Sequence, residues 1–171
     1  CDFTSENYIN DLLEILASKE IKINHLINNA RSISNLEVQD DGITNSKDFL
    51  EEFSMDVVIP YELTMALSMS LDHPLTTVVN IGSMYGEIAP NPVLYKGDLS
   101  KSPVQYGVSK AALHHLTREL AVRLAPNKIR VNCVAFGGVE GRASNDFKEI
   151  YRTLVPSKKM LQVEDVIGPV E

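Results

Sequence analysis

The chain has 171 residues, 44% of them hydrophobic, enough to enclose a core within one domain. A formal net charge of −7 with no basic cluster argues against a nucleic-acid partner, and no apolar run reaches the ~18 residues that a membrane span needs. Cys1 and Cys133 give neither a disulfide framework nor a metal spacing, so no metal and a reducing, cytoplasmic setting are expected.

Cys1-Asp2-Phe3-Thr4 reads as the end of a strand, with Thr4 or Ser5 capping a helix that carries Tyr8, Ile9, Leu12, Leu13, Ile15 and Leu16 and ends near Lys19. Ile23 to Ala30 reads as a buried strand leading into Asn28-Asn29. Ser32 to Ser46 is polar, with Asp40-Asp41-Gly42 as a turn signal, and is expected to be a surface loop. Residues 47–71 carry an apolar stripe of Phe49, Leu50, Phe53, Val57, Leu63, Leu67 and Leu71, where Pro60 predicts a kink or a break. His73-Pro74 closes that helix, and Leu75 to Ile81 is the next strand. Gly86 to Val104 is rich in proline; a lid or substrate-selecting loop and a tolerated surface insertion are both open to it. Val104 to Leu124 repeats Val108, Ala111, Ala112, Leu116, Leu120 and Leu124 at helical spacing, and Pro126-Asn127 ends it. Its His114 and His115 have no partner at metal spacing and read as structural or solvent-facing. Ile129 to Val134 is a further strand, Asn145 to Leu154 a further helix, and 163–168 a late one. Cys1 and Cys133 both fall on expected strands, as small buried hydrophobes.

Within the long helix, Tyr106 and Lys110 are four residues apart and share one face, so hydroxyl and ammonium can reach a common site. A cation beside a phenol favours the phenolate, which suits a general acid/base. Ser83, just past an apolar strand, can hold a substrate oxygen.

Four ordered blocks carry a wider pattern: Leu26-Ile27-Asn28-Asn29-Ala30, Asn80-Ile81-Gly82-Ser83-Met84-Tyr85-Gly86, Tyr106-Gly107-Val108-Ser109-Lys110-Ala111-Ala112-Leu113, and Ile129 through Val139. Together they resemble the short-chain dehydrogenase/reductase family. The resemblance implies an α/β fold, a Rossmann-like doubly wound parallel sheet with helices on both faces, incomplete here, with residues 1–171 as a single partial domain. It implies an oxidoreductase using NAD or NADP, acting on a carbonyl or secondary alcohol, possibly of a sugar or sugar derivative. By the same resemblance Ser83, Tyr106 and Lys110 are catalytic, and Tyr106 and Lys110 also hold cofactor. Asp56 falls where the family has an asparagine that positions a relay water; it can hold a water, pair with Lys110, or simply be an exposed helix residue. Asp2 falls where the family contacts adenine, though it also suits a helix N-terminus, and Phe3 adjoins it. Asn28 and Ala30, then Phe136, Gly137 and Val139, complete the cofactor-binding set. Arg31 stands where the family has glycine, and Phe136 where it has proline. A homodimer or homotetramer is implied, through helices 47–71 and 104–125.

The glycine-rich turn and helix that take a pyrophosphate are not visible before Asn28. The chain also begins without Met and shows no secretory leader. These features predict the middle of a longer chain, one that as it stands is not expected to bind cofactor normally. A family-like protein that binds a nucleotide or a partner without catalysis is the alternative. A serine hydrolase is not, because Ser83 lacks the G-x-S-x-G elbow.

Overall fold

Thr77–Ser83 (β2), rich in β-branched residues, forms the centre of a three-stranded parallel sheet of order β1-β2-β3 in the computed structural model, which describes residues 2–32, 36, 38–39, 42–70, 74–141 and 143–171. Its neighbours are His25–Asn28 (β1) and Arg130–Phe136 (β3), in register Leu26 to Val78 to Val131. Along β2 the residues Val78, Asn80 and Gly82 are buried, whereas Thr77, Val79 and Ile81 are half-buried, so the two faces are unequally covered. Five helices accompany the sheet: Tyr8–Ser18 (α1), Ser46–Phe53 (α2), Ile59–Met69 (α3), Val104–Leu124 (α4) and Asn145–Leu154 (α5). The main core joins Leu16 of α1, Leu67 of α3, and Leu120 and Leu124 of α4 to Val78 and Val131 of the sheet. Parallel strands joined through helices make this a Rossmann-like arrangement, incomplete at three strands.

Several boundaries differ from the sequence reading for local reasons. The expected cap at Thr4 or Ser5 is replaced by a start at Tyr8, because the Thr4 N–H and hydroxyl both donate to the Asp2 carboxylate and Ser5 Oγ accepts from Asn7 N–H. The helix expected over 47–71 is split by a π-helical stretch, Ser54–Val58, where Ile59 N–H reaches back five residues to Ser54 O. Pro60 has no N–H and its ring crowds the carbonyl four residues back, so the widened turn accommodates it. Each strand reading is shifted by a residue or more, and Ser83 is the last residue of β2 rather than a loop residue. The late helix is only a short 3₁₀ turn, Glu164–Val166, ahead of Gly168-Pro169. Cys133 lies half-buried on β3. Gly42, at φ 79°, closes a turn by donating to Gln39 O; Cys1, Asp40, Asp41, Leu71 and His73 lie outside the described residues.

The apolar stripes also face differently from the reading. On α2, Leu50 is exposed and Glu52 is fully buried; on α4, Val108 and Ala111 are exposed while Gln105, Ser109, Lys110, His114 and Thr117 are buried with Leu113, Leu120 and Leu124. The first half of α4 therefore presents a polar face inward.

Candidate active site

That polar face meets the carboxyl end of β2. A hydrogen-bonded chain anchors the strands to it: Asn28 Nδ2 donates to Asn80 Oδ1 at 2.8 Å, Asn80 Nδ2 to Thr117 Oγ1 at 2.9 Å, and Thr117 Oγ1 to Leu113 O at 2.8 Å. One turn nearer the N-terminus of α4, Lys110 Nζ donates to Asp56 Oδ1 and to Ile81 O, each at 2.9 Å. This buried ion pair makes Asp56 an inward residue on the π-helical turn. Lys110 Nζ lies 5.8 Å from the Tyr106 ring centre, and the Arg31 guanidinium stacks over the same ring at 4.4 Å.

Tyr106 and Ser83 open together into a cleft of about 530 Å³ at the strand ends, walled also by Arg31, Tyr85, Tyr95 and Tyr151. Phe136, Gly137 and Val139 form its far edge, which Val139 secures by a parallel bridge to Leu161. Gly138 N–H donates to Tyr151 Oη at 2.8 Å, so α5 holds this turn in place. The Ser83 hydroxyl accepts from Tyr85 N–H at 3.2 Å, which leaves its own proton free to point at a ligand. Burial, reinforced by the hydrogen bond with Tyr95, holds the Tyr85 phenol well above the usual range and therefore neutral. From the proline-rich loop, Leu94 packs on Tyr151 and Met160, Tyr95 meets Phe147 edge-on, and Lys96 pairs with Asp146 at 2.9 Å.

The sequence-derived residues do not all converge. Ser83, Tyr106, Phe136, Gly137 and Val139 line the cleft, whereas Asn28, Ala30, Asp56 and Lys110 surround a small internal cavity of about 20 Å³. Asp2 and Phe3 line neither. The Asp2 carboxyl is held low by its hydrogen bonds from Thr4, and Phe3 packs edge-on against Tyr8. Sequence reasoning gave no role to the three tyrosines Tyr85, Tyr95 and Tyr151, nor to Glu87 or Glu52. It left His114 as structural or solvent-facing. The one available signal was that Lys110 and His114 are four apart and so share a face.

A parallel α/β sheet with tyrosine and lysine on a helix beside a serine-tipped strand defines a Rossmann-like dehydrogenase-type domain. The chain belongs to the short-chain dehydrogenase/reductase family, matching over residues 1–170 the family profile described as enoyl-(acyl carrier protein) reductase. It is 38% identical over 91 residues to post-translational flagellin modification protein A of Campylobacter coli, covering 53% of this chain and 36% of that protein. It is 28% identical over 171 residues to carbonyl reductase family member 4 of Xenopus laevis, covering 97% of this chain and 66% of that one. A short chain dehydrogenase from Leptospira borgpetersenii serovar Hardjo-bovis, solved with bound NAD+, superimposes with a TM-score of 0.84 at 25% identity, over 99% of this chain and 65% of that chain. The chain thus spans about two thirds or less of the length of these proteins.

Proposed function

We propose that the protein is an NAD(P)-dependent oxidoreductase that interconverts a carbonyl and a secondary alcohol, with residues 1–171 forming part of one nucleotide-binding domain. The observation that carries this is the joint exposure of Tyr106 and Ser83 in one cleft, with the buried Lys110 charge behind the tyrosine. Similarity to a protein named carbonyl reductase and to an NAD+-bound dehydrogenase supports it. The donor set fits the nicotinamide end of such a cofactor, since the Phe136–Val139 edge offers an apolar wall and closely approaching backbone opposite the hydroxyls. When bound, that cofactor supplies or accepts the hydride. Tyr106 gives the proton to the carbonyl oxygen in reduction and takes it back in oxidation. Ser83 orients that oxygen with its free hydroxyl proton, and Lys110, fixed by Asp56 and Ile81 O, holds positive charge beside the tyrosine. Asn28, Ala30, Asp2 and Phe3 are assigned to the rest of the cofactor. The hydroxyl-rich walls, Tyr85, Tyr95 and Tyr151, favour a polar substrate such as a sugar derivative. The long helices, α2 to α4, are assigned to a dimer or tetramer interface.

The test is Tyr106→Phe in the full-length protein, followed by nicotinamide absorbance over a panel of sugars and ketones. Turnover should fall by about 10²- to 10⁴-fold, with cofactor affinity unchanged. Undiminished turnover overturns the assignment. A second reading, binding without catalysis, is favoured by the engagement of Lys110 with Asp56; it predicts measurable cofactor affinity in a parent protein that turns nothing over.

A further inference from the structure

Behind Ser83 lies a histidine that the proposed chemistry leaves unused. His114, 4% exposed, sits one turn beyond Lys110 on the buried face of α4. Its Nε2 accepts from the Ser83 backbone N–H at 3.3 Å, and its Nδ1 lies 2.7 Å from Glu87 Oε1. The first contact requires a bare Nε2, so the ring proton is on Nδ1 and is donated to Glu87. Glu87 has a 62% exposed side chain, so the chain of contacts runs from solvent to the backbone of the serine. Two glycines make room for the ring. A Cβ on Gly82 would stand 2.3 Å from Nε2, and one on Gly86 2.6 Å from Cε1. The residues on either side of Ser83 and Met84-Tyr85 are thus fitted to His114.

We propose that Glu87 and His114 form a positioning chain for Ser83, one that fails when His114 takes a second proton. A proton on Nε2 sets N–H against N–H, and the end of β2 must move, carrying the hydroxyl with it. The charged and titratable groups around the ring are Glu87 from the loop, Cys133 from β3, and Lys110 and Arg118 one turn to either side on α4. Burial pushes the Cys133 thiol up, so it stays neutral, and Glu87 is the group in ion-pairing contact. His114 and Glu87 touch no reacting atom; they are positioning residues. The proposal rests on the reading of Ser83 as the group that orients the carbonyl oxygen.

The test uses the full-length protein and the pH dependence of kcat. Glu87→Gln removes the carboxylate that favours imidazolium and should move the acid limb to lower pH by roughly half a unit to one unit. His114→Gln, whose side-chain carbonyl can accept from Ser83 N–H, should keep kcat within a few-fold and abolish that limb. His114→Leu leaves the N–H unpaired and should lower kcat by about tenfold with cofactor affinity unchanged. An acid limb unmoved in both Glu87→Gln and His114→Gln, or wild-type kcat in His114→Leu, overturns the proposal. If His114→Leu does not fold, the exposed Glu87 position still decides. Ring ¹⁵N NMR of His114 gives a readout independent of turnover: the Nδ1–H form is expected, and Nε2–H overturns the chain even if the protein proves active. An Nδ1–H form in a protein without turnover supports the chain and refutes only the catalytic reading.

Discussion

Glu52 shows how burial alone sets a residue's behaviour. It ends α2 fully buried, and its carboxyl oxygens accept no hydrogen bond from the described residues. Burial, and then repulsion from Asp56, raise its pKa to about 7 despite the nearby Arg31 and Lys110 charges. An acid whose folded pKa is raised holds its proton more tightly when folded. Its contribution is full below the ordinary carboxyl pKa of 4.5 and is lost as pH rises through about 7. Glu52→Gln should therefore be more stable than the parent by roughly 2 kcal/mol near pH 8, and much closer to it near pH 5. Urea melts at the two pH values check this, and equal slopes in both proteins would refute it. The neighbouring Asp56–Lys110 pair obeys the opposite rule, since each charge there has a partner at 2.9 Å. Asp56→Ala should cost on the order of 3 kcal/mol by stranding the lysine. Adding Lys110→Met should recover most of that loss, and a double-mutant cycle measures it.

Among the elements, α4 and β2 are fitted to each other side chain by side chain. The close approach at Gly82 leaves no room for a methyl group, which would also stand 2.6 Å from Cys133 Sγ. Gly82→Ala should cost about 3 kcal/mol by overpacking. Gly141→Ala, with nothing within 4 Å of its Cβ position, should be nearly neutral in the same denaturation series. Helical spacing of small and apolar residues located α4 to the residue, yet it did not identify the inward face. The site side of this helix buries Gln105, Ser109 and Lys110, and leaves Val108 45% exposed. Polar groups are buried there because the strands and the π-helical turn supply their partners, and a periodicity count has no access to those partners.

For the molecule as a whole, exposed apolar surface on α2 and α4 is the feature the sheet and core do not satisfy. Leu50 is 67% exposed and Val108 45%, on the helices assigned to an interface between copies. Leu50→Asp combined with Val108→Asp should convert the full-length protein from dimer or tetramer to monomer on gel filtration, without loss of helical content. A monomeric parent would refute the assignment. At the sheet margin β1 pairs with β2 and with no other described strand, and Ile27 is 51% exposed. Edges of this kind promote association between chains.

The order of elements, the family and the identities of Ser83, Tyr106 and Lys110 were legible in the sequence by itself. Strand and helix propensity are local, and the motif residues sit at fixed spacings along the chain. Tertiary structure alone decided which of those residues meet. It put Ser83 and Tyr106 in the open cleft and Lys110 behind it against Asp56, 54 residues away, and it brought Glu87 to His114 across 27. A buried charge takes whichever partner the packing brings within hydrogen-bond reach, and that partner is set by the crossing of helices and strands rather than by sequence spacing.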